Sequence, residues 1–267
     1  MDTSDIQGLD VSLRKFDINK MRDDSNVIII GKRETGKTYL TNDLLKNFSV
    51  PEGTIISPTE IITSSSYSKT VPQASIHTLY DSSIITDLVK HQRECSRNSE
   101  KIMFRKFLVL DNCFWQSLDH HPEVMGCWIN NRGYKLSNIL TIPYGHKLSP
   151  KMRSNNDYIF ILRENIVSNR KRIYDHYAGM FPTFEMFCQI MDQCTENYEC
   201  LVINNNSKSN KLTDQVFWYK AEPHEDFRIC SQQAWDFSDK NSSNEETPEY
   251  EQNNSYKNKV IVNKNLY

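Results

Sequence analysis

A glycine-bounded loop early in the chain has the residue types and the spacing that bind a triphosphate. Residues 31–38 read Gly-Lys-Arg-Glu-Thr-Gly-Lys-Thr, which is the spacing G-x-x-x-x-G-K-T of a P-loop. Gly31 and Gly36 allow backbone angles at which successive N–H groups turn toward phosphate oxygens. Lys37 can reach the β- and γ-phosphates, and the hydroxyl of Thr38 can join the shell of Mg²⁺. The alternative interpretation is a simple glycine turn between a strand and a helix.

The predicted nucleotide site covers the whole loop and the first turn of the helix that follows it. The N-terminus of that helix adds a partial positive charge where the phosphates would lie. We therefore expect ATP and Mg²⁺ as ligands. The predicted nucleotide-binding residues are Gly31, Lys32, Arg33, Glu34, Thr35, Gly36, Lys37, Thr38 and Tyr39.

An aspartate at the end of a second apolar run supplies the other predicted metal ligand. P-loop enzymes hold Mg²⁺ with an acidic residue at the end of a neighbouring buried strand. The apolar run 107–110 is followed directly by Asp111. Such an aspartate can also just cap a turn, but its occurrence together with a P-loop favours a metal role. Thr38 and Asp111 are the predicted metal ligands.

The residue after this aspartate bears on whether a bound nucleotide is hydrolysed. Many P-loop ATPases have a second carboxylate there, which polarises the attacking water, whereas this chain has Asn112. An amide can hydrogen-bond a water molecule but cannot take its proton, so we expect slow hydrolysis or none. Asp119 or Glu123 could serve as the base instead, and Glu34 is a weaker candidate. The predicted catalytic residues are Lys37, Asp111, Asn112 and Arg132.

Two basic features could contact phosphates, and each has a simpler explanation. Arg132 lies between a predicted helix and a predicted strand. In a ring of subunits it could reach the γ-phosphate of a neighbour's ATP, although a surface arginine is the commoner case. The basic run 170–172 could contact DNA, or it could be the solvated start of a helix. The histidines lack the i, i+4 spacing of a helical metal pair, so no metal beyond Mg²⁺ is predicted.

The elements that must position these residues alternate between buried strands and helices. This alternation predicts an α/β fold with a mainly parallel sheet, helices on both faces and a closing antiparallel strand pair. A P-loop at the carboxyl end of a strand lies where such sheets bind ligands. Strands are predicted at 27–30, 54–57, 107–110, 136–144, 158–162, 199–203 and 216–220, with a possible edge strand at 9–13. Helices are predicted from the P-loop to about 47 and at 84–94, 124–131, 168–177 and 183–194.

Length, charge and cysteine content limit the protein class. The chain has 267 residues, and we assign 1–237 to one P-loop domain and 238–267 to a polar tail that we predict to be disordered. A net charge of −2 gives no overall attraction to nucleic acid, so any DNA contact requires a local patch or a ring. The seven cysteines contain no C-x-x-C pair, which favours a reducing intracellular setting. No segment approaches the ~20 apolar residues of a membrane span, so we expect a soluble protein.

Together these residues resemble the poxvirus-type virion DNA-packaging ATPases of nucleocytoplasmic large DNA viruses, a branch of the FtsK–HerA ATPases. The resemblance covers about residues 7–230. The segments that carry it are 31–38, 107–113, 130–144, 152–165 and 169–205, the last being specific to giant-virus members.

This resemblance implies a RecA-like α/β core that assembles into a homo-oligomeric ring and uses ATP to move double-stranded genomic DNA into the capsid. It also implies a capsid or portal partner and a location in the viral factory of the host cytoplasm and in the virion. Lys37 and Thr38 match the phosphate- and Mg²⁺-binding positions, and Asp111 matches the Mg²⁺-associated aspartate. Arg132 lies in the segment where the family has an arginine that acts in trans.

Two departures from the family pattern leave alternative functions open. Asn112 replaces the usual second acidic residue, and Pro143 occupies the position of a glutamine that senses the γ-phosphate. Proline offers neither an amide side chain nor a backbone donor. The chain can therefore be a packaging motor with weakened hydrolysis, or a nucleotide-binding structural or regulatory subunit of a packaging ring. A small-molecule kinase is a third, less favoured, interpretation.

Overall fold

A computed structural model describes residues 11–48, 50–59, 67–97, 104–113, 120–144, 148–223 and 225–242. These residues form one eight-stranded sheet with helices on both faces. The strands are β1 (Asn26–Ile30), β2 (Glu52–Ile56), β3 (Ile76–His77), β4 (Lys106–Asp111), β5 (Leu136–Ile142), β6 (Tyr158–Ile161), β7 (Glu199–Asn204) and β8 (Val216–Lys220). The helices are α1 (Lys37–Phe48), α2 (Ser82–Arg97), α3 (Pro122–Ile129), α4 (Pro150–Ser154), α5 (Val167–Tyr177), α6 (Phe184–Cys194), α7 (Leu212–Gln215) and α8 (Gln232–Ser242).

The order of the strands confirms the predicted α/β class. The sheet runs β3-β2-β4-β5-β1-β6-β7-β8, and the strands from β3 to β6 are all parallel. The predicted antiparallel pair is β7 and β8, and β7 is also antiparallel to β6. β1 lies between β5 and β6, so the loop that follows it opens onto the middle of the sheet.

Alternate residues of the central strands build two cores, one on each face. Val27 and Ile29 of β1 belong to the core that α1 covers with Leu40 and Leu44. Ile28 and its neighbours at even positions belong to the opposite core, which α3, α5 and α6 cover. All five residues of β1 are buried, as expected for a strand with helices on both sides.

The register of the sheet aligns the strand ends that carry the predicted site. Asp111, the last residue of β4, pairs with Thr141 of β5, and Thr141 in turn pairs with Ile29 of β1. The N–H of Gly31 donates to the carbonyl of Ile142 at 3.0 Å. The carboxyl ends of β4, β5 and β1 therefore meet at one edge of the sheet, which we call the carboxyl edge.

The opposite edge is tied together by buried amides and one carboxylate. Asn26, at the start of β1, receives a hydrogen bond on its Oδ1 from Asn138 Nδ2 at 2.8 Å. The Asn26 side chain donates to the carbonyl of Trp128 at 2.7 Å, and its N–H donates to Asp157 at 2.8 Å. We call this edge, where the parallel strands begin, the amino edge. Its polar contacts were not predicted from the sequence.

A helix crosses the position at which the polar tail is predicted to begin. Helix α8 continues across position 238, where a polar tail was predicted to begin. Trp235 and Ser238 are buried, and the Ser238 hydroxyl accepts a hydrogen bond from the N–H of Ala74 at 3.1 Å. These two residues dock the helix although its composition is polar. Residues 243–267 lie outside the described part of the chain.

The N-terminal segment and several short elements also differ from the prediction. Residues 9 and 10 of the possible edge strand lie outside the described residues, and residues 11–13 are not in a strand. The contact with the sheet comes slightly later, where Phe16 N–H donates to the carbonyl of Trp218 at 2.8 Å. The short elements β3, α4 and α7 were not predicted. Within the described ranges, no helix is long and apolar enough to cross a membrane.

Candidate nucleotide-binding site

The P-loop forms a tight turn between β1 and α1, as predicted. A Cβ atom at Gly31 would lie 2.6 Å from Thr35 Oγ1 and 2.9 Å from the Cβ of Leu162, so only glycine fits there without a shift. Gly36 has φ of 96° and Glu34 has φ of 64°, both in the left-handed region. The Thr35 hydroxyl closes the turn by donating to the carbonyl of Lys32 at 2.8 Å. The loop is therefore shaped by glycine at its two defining positions.

Lys37 lies at the start of α1 with its charge largely removed from water. Its side chain is buried, and its ammonium donates to the carbonyl of Lys32 at 2.9 Å. Burial lowers the pKa of Lys37, the negative charge of Asp111 opposes that lowering, and the positive charge of Arg33 adds to it. The charge of Asp111 thus stabilises the ammonium electrostatically, and a bound phosphate would compensate the ammonium charge further.

Asp111 is fully buried and is surrounded by hydroxyl groups. Its Oδ1 accepts a hydrogen bond from Thr141. Its Oδ2 accepts from the hydroxyl of Ser57 at 3.3 Å and from that of Tyr67 at 3.2 Å. The Thr141 oxygen also accepts a hydrogen bond from the N–H of Asn112 at 3.0 Å. This second contact directs the hydroxyl proton of Thr141 toward Asp111. These contacts hold the carboxylate in one orientation.

Three of these residues were missed by the sequence reasoning. Ser57 directly follows β2 and Thr141 is the penultimate residue of β5, so both are polar residues at the carboxyl edge. That position is the signal by which they could have been found. Tyr67 carries no such signal, because it lies in a turn rather than at a strand end.

Asn112 has a backbone conformation that suits its residue type. Its φ is 55°, in the left-handed region that asparagine enters more readily than most residues. Its side-chain nitrogen lies 3.5 Å from Thr59 Oγ1. The asparagine therefore serves the turn after β4, and it places an amide beside Asp111 where many ATPases have a carboxylate.

Two of the three alternative candidates for a catalytic base, Glu123 and Glu34, lie in the described part of the chain. Asp119 lies outside the described residues. Glu123 accepts a hydrogen bond from Tyr80 at 2.6 Å and lies 3.3 Å from His121 Nδ1. Burial opposes the ionisation of Glu123, but the Tyr80 hydroxyl and the neighbouring His121 hold its pKa below the usual range. Glu34 is exposed on the loop.

The donor set at the carboxyl edge fits Mg²⁺. Thr38 offers a hydroxyl in the first turn of α1, and Asp111 offers a carboxylate whose orientation is fixed. Mg²⁺ usually takes one or two protein oxygens and completes its shell with phosphate oxygens and water. Among the described residues there is no cluster of three or more His, Cys, Asp or Glu side chains that would form a metal cage on its own. The set therefore suits a metal that arrives with a phosphate.

An apolar cavity of about 370 Å³ adjoins the P-loop at Gly36. Two tyrosines of its lining are accessible: Tyr39 is 46% exposed and Tyr198 is 72% exposed. The Tyr39 hydroxyl donates to the carbonyl of Glu222 at 2.7 Å, which holds the ring at the rim. The cavity was not predicted. Its lining residues are Gly36, Tyr39, Leu40, Leu162, Tyr198, Cys200, Lys220, Ala221 and Pro223.

Arg132 is not part of this arrangement. It precedes β5, at the amino edge, and its guanidinium pairs with the buried Asp157 at 2.7 Å. The phosphate loop lies at the carboxyl edge of the same sheet. Within one chain, Arg132 and Lys37 therefore lie at opposite ends of the parallel strands. Any contact of Arg132 with a nucleotide would have to involve another subunit.

The basic run at the start of α5 is largely paired within the chain. Arg170 contacts Asp192 at 2.5 Å and donates to the carbonyl of Glu164 at 2.6 Å. Lys171 contacts Asp175 at 2.8 Å. Two of the three cations in the run are thus neutralised by α5 and its neighbour α6, which weakens the interpretation of this run as a DNA-binding patch.

Known proteins resemble this chain in sequence and in fold. No family model matches it. It is 32% identical over 222 residues to the uncharacterised protein L437 of Acanthamoeba polyphaga mimivirus, an alignment that covers 78% of this chain and 77% of L437. It is 35% identical over 200 residues to the uncharacterised protein 088R of Invertebrate iridescent virus 3, covering 74% of this chain and 76% of 088R.

Two solved structures share the fold. One is the genome packaging NTPase B204 of Sulfolobus turreted icosahedral virus 2 in complex with ATP-gammaS, with a TM-score of 0.51 and 16% identity over 75% of this chain and 98% of B204. Another is that of ATPases 2 and 3 of EssC from Geobacillus thermodenitrificans, with a TM-score of 0.51 and 12% identity over 83% of this chain and 43% of the solved EssC chain. At these identities the likeness shows the fold alone.

Proposed function

We propose, from the premise that this chain belongs to one family with L437 of mimivirus and 088R of Invertebrate iridescent virus 3, that it is a packaging-type P-loop ATPase. In this proposal it hydrolyses ATP to move double-stranded viral DNA into the capsid. The observation that carries the proposal is that Lys37, buried at the start of α1, and Asp111, buried at the end of β4, interact electrostatically. A charged lysine and an oriented carboxylate at one helix N-terminus are the parts that hold a metal-bound triphosphate.

Nucleotide binding follows from the charges of the site. A lysine whose pKa is lowered by burial gains most when an anion reaches it, because the anion replaces the water that burial removed. The backbone N–H groups of the loop and the N-terminus of α1 add to the same attraction. Mg²⁺, held by Thr38 and Asp111, would neutralise charge on the β- and γ-phosphates. The phosphates are thus assigned to residues 31–38.

The nucleoside is assigned to the apolar cavity beside Gly36. The accessible rings of Tyr39 and Tyr198 can stack on a purine, and the remaining lining is mainly aliphatic. A site that holds a base by stacking discriminates poorly between bases, because every base has a π face. We therefore expect GTP to compete with ATP, with affinities that differ by less than about tenfold.

Hydrolysis is the step that we expect to be slow in this site. The side-chain amide of Asn112 can hydrogen-bond a water molecule but cannot accept its proton. Positioned general bases contribute about 10²–10⁴ in rate, so a site without one turns over slowly. Glu123 is engaged by Tyr80 and His121, so its use as the base would require these contacts to change.

The second candidate function is a nucleotide-binding structural or regulatory subunit of a packaging ring. The specific observation in its favour is that Asn112 fits its left-handed turn and that Pro143 follows β5 at the carboxyl edge. Both features leave the phosphate-binding residues intact. Asn112 replaces a carboxylate that polarises the attacking water, and Pro143 replaces a glutamine that senses the γ-phosphate. Such a subunit would bind ATP as a motor does and differ from it in turnover.

The partners proposed for either function are a homo-oligomeric ring, double-stranded DNA, and a capsid or portal protein. In a ring, the amino edge of one subunit could face the carboxyl edge of the next, which would bring Arg132 toward a neighbouring γ-phosphate. That contact would compete with the Arg132–Asp157 ion pair, whose arginine is 54% exposed and therefore accessible. The genome packaging NTPase B204 has the same fold, and this supports the DNA-packaging proposal by analogy.

The test is ATP turnover by the purified protein with and without linear double-stranded DNA. We expect slow turnover that DNA stimulates, loss of turnover in Lys37→Ala, and a marked increase in Asn112→Asp. Lys90→Ala is the matched control, because Lys90 is an exposed lysine on α2. Nucleotide binding without turnover, unchanged by DNA and by Asn112→Asp, would favour the structural subunit. Turnover that survives Lys37→Ala would contradict both candidates.

A further inference from the structure

One of the hydroxyl groups around Asp111 comes from outside the strand ends. Ser57 and Thr141 belong to the ends of β2 and β5, the strands on either side of β4. Tyr67 belongs to a turn, yet its side chain is fully buried and its hydroxyl reaches Asp111 Oδ2 at 3.2 Å. Neither the P-loop nor the sheet therefore fixes this third donor.

Backbone hydrogen bonds within the turn that carries Tyr67 hold its shape. The N–H groups of Thr70 and Val71 both donate to the carbonyl of Tyr67 at 2.8 Å. Thr70 and Val71 are themselves buried. The position of the Tyr67 ring thus depends on where this turn is held relative to the sheet.

The turn is held by the C-terminal part of the chain. We call residues 225–238 the C-terminal brace. The N–H of Ile229 donates to the carbonyl of Thr70 at 2.9 Å, and the hydroxyl of Ser238 accepts from the N–H of Ala74 at 3.1 Å. Trp235 closes the brace on itself by donating to the carbonyl of Ile229 at 2.8 Å. The brace therefore contacts the Tyr67 turn at Thr70 and, at Ala74, the short 3-10 helix Gln73–Ser75 that follows the turn.

The residues just before the brace contact the other end of the candidate site. Ala221 and Pro223 line the apolar cavity, and the carbonyl of Glu222 accepts the hydrogen bond from Tyr39. One region at the end of the domain thus touches the proposed nucleoside cavity on one side and the Tyr67 turn on the other.

We propose that Tyr67 is a positioning residue for Asp111 and that the C-terminal brace holds it in place, so that the affinity of the site for Mg²⁺ depends on this tyrosine. The inference rests on the proposed function, because it concerns the same site. Groups that hydrogen-bond a metal-binding carboxylate fix its orientation, and their loss typically costs about 10–100-fold in metal affinity. Tyr67→Phe leaves the P-loop residues and the charge of Asp111 in place, so we expect the binding of a metal-free nucleotide to be unchanged.

The first test compares wild type with Tyr67→Phe by calorimetric titration of the non-hydrolysable analogue AMPPCP, in EDTA and at a series of Mg²⁺ concentrations. We expect equal AMPPCP affinities in EDTA. We expect Tyr67→Phe to need about tenfold more Mg²⁺ for the same tightening of AMPPCP binding. Tyr174→Phe is the matched control, because it removes a tyrosine hydroxyl that donates to the carbonyl of Phe181 at 3.3 Å in another part of the fold.

The second test asks whether the brace acts through Tyr67. Ser238→Ala removes the hydroxyl that accepts from Ala74 and leaves Tyr67 in the chain. Residues in one network couple by about 0.5 kcal/mol or more, so we expect the Mg²⁺ requirement to rise at least about twofold. In the Tyr67→Phe background, Ser238→Ala should have no further effect. This variant also keeps the proposal testable if Tyr67→Phe does not fold.

The outcomes separate this inference from the function on which it rests. Wild-type protein that binds AMPPCP equally in EDTA and in Mg²⁺ overturns the proposed function and this inference together. A clear Mg²⁺ effect that is equal in wild type and Tyr67→Phe overturns the inference alone. A lower Mg²⁺ requirement in Tyr67→Phe also overturns it, because the hydroxyl would then compete with the metal. An equal loss from Ser238→Ala in both backgrounds overturns the role of the brace.

Discussion

Replacing Thr141 by valine removes one hydroxyl and keeps the shape of the side chain. Thr141 is fully buried in β5. Its oxygen donates to the carboxylate of Asp111 and accepts from the N–H of Asn112 at 3.0 Å. In the valine variant the buried Asp111 Oδ1 loses this donor and the Asn112 N–H loses this acceptor. Because valine has nearly the same shape as threonine, the substitution leaves no cavity. A hydrogen bond to a charged group contributes about 1.5–3 kcal/mol and a neutral one about 0.5–1.5 kcal/mol.

We therefore expect Thr141→Val to lower the free energy of unfolding by about 3 kcal/mol. For a domain of this size that corresponds to a fall of about 6–12 °C in Tm. Urea unfolding followed by tryptophan fluorescence measures the free energy, and a thermal scan measures Tm. Thr86→Val is the control, because the Thr86 hydroxyl donates to the carbonyl of Ser82 at 2.9 Å on an exposed helix face.

The control should change the free energy of unfolding by less than about 0.5 kcal/mol. If Thr141→Val also stays within about 0.5 kcal/mol of wild type, the hydroxyl does not hold Asp111 in the way described. The reasoning about the whole hydroxyl cluster, including the role of Tyr67, would then lose its basis.

Three further predictions concern other parts of the site. Burial lowers the pKa of Lys37 below its usual 10.5, so between the two pKa values the unfolded chain binds more protons than the folded protein. The free energy of unfolding of the nucleotide-free protein should therefore rise with pH over this interval. Lys37→Met should abolish that rise in urea unfolding measured across pH. Gly31→Ala should cost about 1–3 kcal/mol of stability, since its Cβ would lie 2.6 Å from Thr35 Oγ1, and should weaken AMPPCP binding in calorimetry, whereas Gly179→Ala meets nothing within 4 Å and should be neutral. Arg132→Ala should leave the AMPPCP affinity of the monomeric protein unchanged and lower DNA-stimulated turnover. Weaker AMPPCP binding by the monomeric variant would contradict the placement of Arg132 at the amino edge.

The parts of the site that the sequence predicts are those encoded within a short stretch. The P-loop, the strand before it and Asp111 each depend on a few consecutive residues, and their order along the chain indicates the parallel sheet. The hydroxyl cluster could not be predicted in the same way. Ser57, Tyr67 and Thr141 come from three separated segments that meet only when the sheet forms.

Other differences arise where composition conceals a tertiary contact. The segment from 238 is polar, so it was predicted as tail, but Ser238 is buried in α8 and accepts a hydrogen bond from Ala74. The basic run on α5 suggests a DNA contact until Asp192 and Asp175 are placed beside it. For Ser238 and Arg170 the partner is far along the chain, outside the local pattern that suggested the prediction. Asp175 is four residues after Lys171, so this pair could have been predicted from helical spacing.

The most direct test of the account is the affinity of wild-type protein for AMPPCP, measured by calorimetry in EDTA and in saturating Mg²⁺, beside Lys37→Ala and Asp111→Asn. The account predicts binding that Mg²⁺ tightens in wild type, loss of binding in Lys37→Ala, and loss of only the Mg²⁺-dependent part in Asp111→Asn. Binding that is equal in all three proteins, or absent from wild type, would contradict the assignment of residues 31–38 and Asp111 to a metal-bound triphosphate.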